Sequence, residues 1–146
     1  MGNIKGFTLL EILVGLAILA LVLAIVPPMF TNVIDSTQMK SATRTLASGL
    51  KQARNEAISK QRETTLTLDV ETRQFALGGK QHQLDLPKDT KLTLIAANTE
   101  QLNDQQAAIR FFPDGSSTGG RIELGNQRNE YMIDVNWLTG KIQISP

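Results

Sequence analysis

The chain has 146 residues, enough for one domain built around one modest core. Apolar residues make up 41% and charged residues 20%, and the formal net charge is only +1, so bulk electrostatics give no case for nucleic acid or an acidic substrate as partner. Cysteine is absent, which excludes a disulfide framework, a thiol nucleophile and a thiolate metal site while leaving the compartment open.

Those averages hide a sharp division. Phe7 to Phe30 is almost wholly apolar, whereas the chain after Thr31 reads as a water-soluble sequence. A helix over 7–30, at about 1.5 Å per residue, is roughly 36 Å long and can span a hydrocarbon core of about 30 Å. A secretory signal has a shorter apolar stretch followed by a small-residue cleavage site. Val26-Pro27-Pro28-Met29 makes a poor one. An uncleaved signal anchor is therefore the plain reading of the segment.

Two features argue for more. Glu11 is the one ionisable residue between Phe7 and Phe30. A carboxylate in a membrane helix costs about 2.5–3.5 kcal/mol at the bilayer centre and less near an end, so such residues usually have partners. Lys5 is a poor partner because it can stay in water. The second feature is the short leader Met1-Gly2-Asn3-Ile4-Lys5-Gly6, which ends in glycine directly before a phenylalanine.

Gly6-Phe7-Thr8-Leu9-Leu10-Glu11 resembles the processing motif of type IV prepilins and type II secretion pseudopilins, with no departure across that stretch. The resemblance implies that a membrane peptidase cuts between Gly6 and Phe7 and methylates the new N-terminus on Phe7. It also implies that Glu11 is the assembly glutamate. Cleavage leaves an ammonium group on Phe7, and Glu11 of one subunit can then pair with the Phe7 ammonium of its neighbour. A low dielectric strengthens that attraction, although desolvation offsets much of it.

Pro27 and Pro28 predict a kink or break where the helix leaves the membrane, since proline removes a backbone hydrogen bond and clashes with the preceding turn. The resemblance is compatible with local unwinding there. Beyond them, Met39, Ala42, Leu46, Leu50, Ala53 and Ala57 recur at every third or fourth position. That spacing predicts an amphipathic helix over about 31–62 with an alanine-rich face open to close packing. Lys40, Arg44, Lys51, Arg54 and Lys60 lie on other faces and are dispersed as on a solvated surface.

After Arg62 the period changes to two. Thr65 to Val70 alternates as a half-buried strand, Glu71-Thr72-Arg73 turns, and Gln74 to Leu77 returns. Gly78-Gly79 bends the chain again. Further strands are expected at His82 to Leu86 and Lys91 to Ala96, with a loop over Asn98 to Gln106. Ala108 to Phe112 is a strand ended by Pro113-Asp114-Gly115-Ser116-Ser117, which has turn chemistry throughout. Strands at Arg121 to Leu124, Tyr131 to Val135 and Lys141 to Ile144 complete the chain. The expected fold is α+β, a long N-terminal spine helix against an antiparallel sheet. The expected organisation is a leader at 1–6, a transmembrane and assembly helix at 7–30, an amphipathic periplasmic helix at 31–62 and a β-sheet head at 63–146.

The run Phe111 to Ser117, followed by Gly119-Gly120-Arg121-Ile122 and Leu138-Thr139-Gly140-Lys141-Ile142, resembles the GspH/FimT group of minor pseudopilins and related minor pilins. This implies a structural subunit of the type II secretion pseudopilus, near its tip, in the inner membrane with a periplasmic head. The implied partners are other minor pseudopilins, the major pseudopilin, the prepilin peptidase and the inner-membrane secretion platform. A minor pilin of a type IV pilus or competence system, with DNA as a candidate ligand, is the alternative, and a signal-anchored periplasmic domain of another class is a third.

No residue pattern advertises catalysis or a cofactor. His82 is the one histidine and has neither cysteine nor a second histidine to complete a zinc site or a triad. Asp114-Gly115-Ser116 lacks the alternating acids of a calcium loop, and Gly78-Gly79-Lys80 lacks most of a phosphate loop. For nucleic acid, Arg121, Arg128 and Lys141 are the candidate cations, but Asp114, Glu123, Glu130 and Asp134 lie among them. Trp137 and Tyr131 are expected in the core or at a partner contact.

Overall fold

The computed structural model describes residues 6–96, 105–127 and 129–146, giving only the helical backbone over 25–34. Two compact units divide after Ile34. Helix α1 spans Leu9–Lys60. The strands are β1 (Thr64–Asp69), β2 (Gln74–Leu77), β3 (Lys80–Gln83), β4 (Lys91–Ala96), β5 (Gln106–Phe111), β6 (Gly120–Gly125), β7 (Glu130–Val135) and β8 (Ile142–Ser145).

In the first unit the apolar side chains up to Ala24 are exposed, Leu9 at 80% and Leu19 at 53%. Among the residues described in full, no helix is long and apolar enough to cross a membrane. Those residues stop at Ala24, whereas the apolar run continues in the sequence to Phe30. Pro27 and Pro28 fall within the bounds of α1, and their side chains lie outside the described residues. A kink is compatible with an uninterrupted helical assignment.

In the second unit α1 buries the stripe its spacing predicts: Met39, Ala42, Leu46, Leu50, Ala53 and Ala57 are all buried. Ala47 and Thr43 widen that face. The Thr43 hydroxyl donates to the Met39 carbonyl one turn back (2.7 Å), which is how a polar side chain is tolerated there. The helix ends at Lys60, two residues short of the expected Arg62, because Gln61 adopts φ 49°. The Arg62 amide then reaches back to the Ala57 carbonyl (3.3 Å), and the Gln61 side-chain amide donates to the Ile58 carbonyl (2.7 Å). That is a Schellman ending, with the usual glycine replaced by a glutamine that supplies its own cap.

The strands form two 4-stranded antiparallel sheets, ordered β3-β2-β1-β5 and β4-β6-β7-β8. This corrects the expectation of one sheet. Short turns pair β1 with β2 and β6 with β7, as local sequence suggests. The pairs β1 with β5 and β4 with β6 are non-local, and they divide the strands between two sheets. The expected third strand also shifts, to Lys80–Gln83, because Leu84 and Leu86 turn inward and are buried. The side chain of Arg73 holds that departure in place. Its guanidinium donates to the carbonyls of Pro87 (2.9 Å), Lys88 (3.0 Å) and Thr90 (3.1 Å).

One core joins the helix to both sheets. Leu66 and Leu68 of β1, Phe75 and Leu77 of β2, and Ile109 and Phe111 of β5 come from the first sheet. Ile122 and Leu124 of β6, with Ile133 and Val135 of β7, come from the second. The period-two alternation of these strands is what turns their apolar residues toward α1.

Gly49 sets how closely they approach. A Cβ there would lie 2.7 Å from the Phe75 ring and 3.3 Å from Leu66. The helix therefore gives up about 1 kcal/mol of propensity to admit the ring. We expect Gly49→Ala to lose roughly 1–3 kcal/mol of unfolding free energy through overpacking, rather than gain helix propensity. Urea unfolding of the unit from Asp35 onward checks this, and a stabilised variant contradicts it.

Candidate functional site

The N-terminal site is built on the first turn of α1. Gly6, Phe7 and Thr8 precede the helix and are exposed, Phe7 at 79%. Thr8 is the N-cap. Its hydroxyl oxygen accepts the Glu11 amide (3.2 Å), and its carbonyl accepts the amides of Glu11 (3.1 Å) and Ile12 (3.3 Å). Thr8-Leu9-Leu10-Glu11 is thus an S/T-x-x-E sequence with Glu11 at the third helical position, where the helix dipole favours a negative charge. Gly6 and Phe7 precede the helix and Glu11 lies in its first turn, with the Glu11 side chain exposed. Residues 1–5 of the expected leader lie outside the described residues.

The capping role of Thr8 is absent from the motifs read in the sequence, although the spacing from threonine to glutamate at the head of an apolar run carries the signal. The cap uses the backbone amide of residue 11, whereas the helix dipole is what favours an acidic side chain there.

A second constellation gathers the C-terminal signature. The Nε–H of Arg54 donates to the carbonyls of Gly115 (3.1 Å) and Thr139 (3.2 Å), tying both turns to α1. Read from sequence, Arg54 belongs to a solvated face; the structure instead places it half-buried between those turns. Gly140 has φ +60°, and a Cβ on it would lie 2.2 Å from the Gly115 carbonyl oxygen and 2.8 Å from Arg54 Nε. Only glycine fits there. Ser117 joins the two turns from the other side, its amide donating to the Trp137 carbonyl (2.8 Å) and its hydroxyl to the Arg110 carbonyl (2.8 Å). Phe111-to-Ser117 and Leu138-to-Gly140 are therefore one structural device.

The polar groups weighed for chemistry are engaged in that framework. Asp114 accepts the Ser116 hydroxyl (2.6 Å) and amide (2.9 Å), which hold its carboxyl below the usual range. Asp69 is lowered in the same way by the Thr72 amide (2.8 Å) and then by Gln106 (2.7 Å), closing the β1–β2 turn. His82 stacks on Phe75 with ring centroids 4.9 Å apart. Among the described residues no group of His, Asp or Glu is arranged to hold a metal ion.

Arg121 pairs across strands with Asp134 (2.6 Å), a contact that raises its pKa and offsets its charge. Arg128 lies outside the described residues, and Lys141 is exposed. Trp137 is 65% exposed, which removes it from the core, and Tyr131 is half-buried.

Replacing Arg54 by methionine keeps its apolar stem and leaves the turn carbonyls without their donor. We expect a loss of about 1–3 kcal/mol in unfolding free energy, with Arg54→Lys intermediate because an ammonium lacks the planar fork. Denaturant unfolding reads both, and a neutral Arg54→Met contradicts the assignment.

Comparison with known proteins agrees with this architecture. Residues 42–140 match the family described as type II transport protein GspH, and residues 1–27 match the prokaryotic N-terminal methylation motif. Type II secretion system protein H of Xanthomonas campestris pv. campestris is 33% identical over 144 residues, covering 99% of this chain and 85% of that protein. Among solved structures, the minor pseudopilin EpsH of the Vibrio cholerae type 2 secretion system superposes with TM-score 0.58 at 12% identity, covering 74% of this chain and 96% of that one. The type IV minor pilin FimU of Pseudomonas aeruginosa does so with TM-score 0.59 at 14% identity, covering 77% and 91%. The two likenesses establish the fold and do not separate pseudopilus from pilus, whereas the Xanthomonas relative and the matched region carry the family. The chain belongs to the type II transport protein GspH family.

Proposed function

We propose that this protein is a minor pseudopilin of a type II secretion system, a structural subunit that assembles through its N-terminal helix. The observation that carries the reading is Glu11, at the third position of an apolar helix whose preceding residues form a processing motif. The chain is held in the inner membrane by 7–30, with Met1 to Gly6 on the cytoplasmic side and the two-sheet unit in the periplasm. Lys5 before the helix agrees with the positive-inside tendency.

A prepilin peptidase removes 1–6, and the amine freed on Phe7 is methylated. Glu11 is costly alone in lipid and relieved when it meets the Phe7 ammonium of an adjacent subunit, so assembly is favoured over dispersion in the bilayer. Pro27 and Pro28 mark where the helix yields as the subunit moves from membrane to filament. The two-sheet unit contacts other minor pseudopilins near the tip, and the secretion platform in the inner membrane drives extension. The role is structural, with no catalytic residue or cofactor assigned.

The alternative is a minor pilin of a type IV pilus or competence system, which shares this fold. Neighbouring genes for secretion pseudopilins and a secretin favour the first reading, and pilus or competence genes favour the second.

We expect Glu11→Leu to be processed and inserted normally but to co-purify with partner pseudopilins at least about tenfold less, the loss that about 1.4 kcal/mol produces. The substitution keeps the backbone amide that donates to Thr8, so the helix start is preserved. Pull-down from detergent-solubilised membranes measures this, and undiminished co-purification contradicts it.

A further inference from the structure

The Gly6–Phe7 bond lies immediately before a helix whose start is fixed by one side chain. Gly6, Phe7 and Thr8 are non-helical and exposed, Leu9 is the first helical residue, and the Thr8 hydroxyl oxygen accepts the Glu11 amide at 3.2 Å. The sequence has no proline upstream of Pro27, so nothing covalent stops α1 from winding further toward Met1. At a membrane surface the backbone has a strong reason to do so, because a helix satisfies its amides and carbonyls internally. Gly6 opposes this by about 1 kcal/mol, an amount the cap at Thr8 adds to. A bond wound into the helix has its flanking amides and carbonyls engaged, whereas cleavage concentrates where backbone is exposed and free of regular structure.

We propose that Thr8 is a positioning residue for leader removal: its cap starts α1 just downstream and keeps the Gly6–Phe7 peptide outside the helix for the peptidase. This rests on the reading that the leader is cut at that bond. In the reaction, water adds across the Gly6–Phe7 amide. The C–N bond breaks, Gly6 leaves with a new carboxylate, and the Phe7 nitrogen departs as an amine that takes up a proton. The peptidase supplies the catalytic groups. Thr8 touches none of the reacting atoms and acts through the population of chains in which the bond lies free. The cap survives cleavage, because both of its partners lie on the mature side.

The test uses the full chain in membranes that also hold a prepilin peptidase, with leader loss followed over time by mass spectrometry. Thr8→Val keeps the side-chain shape and removes the acceptor. Thr8→Ser and Thr8→Asn keep an acceptor, the second on a different shape. We expect Thr8→Val to be cut about fivefold more slowly, the ratio that losing one N-cap typically produces. Thr8→Ser and Thr8→Asn should stay within about twofold of wild type, since both are good caps. Hydrogen exchange at the Phe7 amide should slow in Thr8→Val alone, because only there does the helix extend upstream.

Wild-type rates in Thr8→Val overturn the proposal, as does unchanged exchange at Phe7 in that variant. Thr8→Asn as slow as Thr8→Val also overturns it, by showing that the peptidase reads the hydroxyl and not the cap. A wild-type chain that keeps its leader overturns the processing reading itself, a result distinct from equal rates among chains that are all cut.

Discussion

A carboxylate on an apolar helix surface has few stable options, and Glu11 is in that position. Every other side chain from Phe7 to Ala24 is without charge, and the large apolar ones are exposed. In water this surface drives association, and in lipid it is satisfied while the carboxylate is not. The helix dipole makes Glu11 acceptable at the third helical position without neutralising it. Burial against a neighbouring subunit that presents a cation resolves both demands together. The proposed pairing rests on charge and solvent, and it accounts for an acid at the head of the segment and not in its middle.

The unit from Asp35 onward answers a different requirement. There the same helix becomes a scaffold whose small residues let two sheets close on one face. Alanine at 42, 53 and 57 and glycine at 49 leave room for Phe75, Phe111 and the leucines of β1. Arg54 then ties two distant turns to the helix, so the signature around Gly115 and Gly140 reflects a packing solution. Arg73 does comparable work where the chain leaves β3, donating to successive carbonyls of a segment without regular structure. In both places a guanidinium satisfies carbonyls that neither helix nor sheet can serve.

Much of this was legible in the residues because it is periodic. The stripe from Met39 to Ala57 has helical spacing and the strand around Leu66 alternates, and their buried faces follow. The division into two sheets was not legible. Pairing of β1 with β5 and of β4 with β6 depends on contacts between distant residues, which local turn chemistry does not encode. The roles of Arg54 and Arg73 were hidden for a related reason: each binds carbonyls, which every residue has, so the sequence marks no partner. Trp137 was expected in the core or at a partner contact, and its exposure on the β7–β8 turn removes the first of these. The N-terminal motif was readable because its parts are consecutive. The cap at Thr8 was readable in principle from the same residues.

The state of the N-terminus decides the account most directly. Intact-mass analysis of the protein extracted from the membranes of its native host is predicted to find a chain that begins at Phe7 and carries one added methyl group. A chain that still begins with Met1 to Gly6 and has an unmodified start would contradict it, since no ammonium would then stand at the head of the helix for Glu11 to meet.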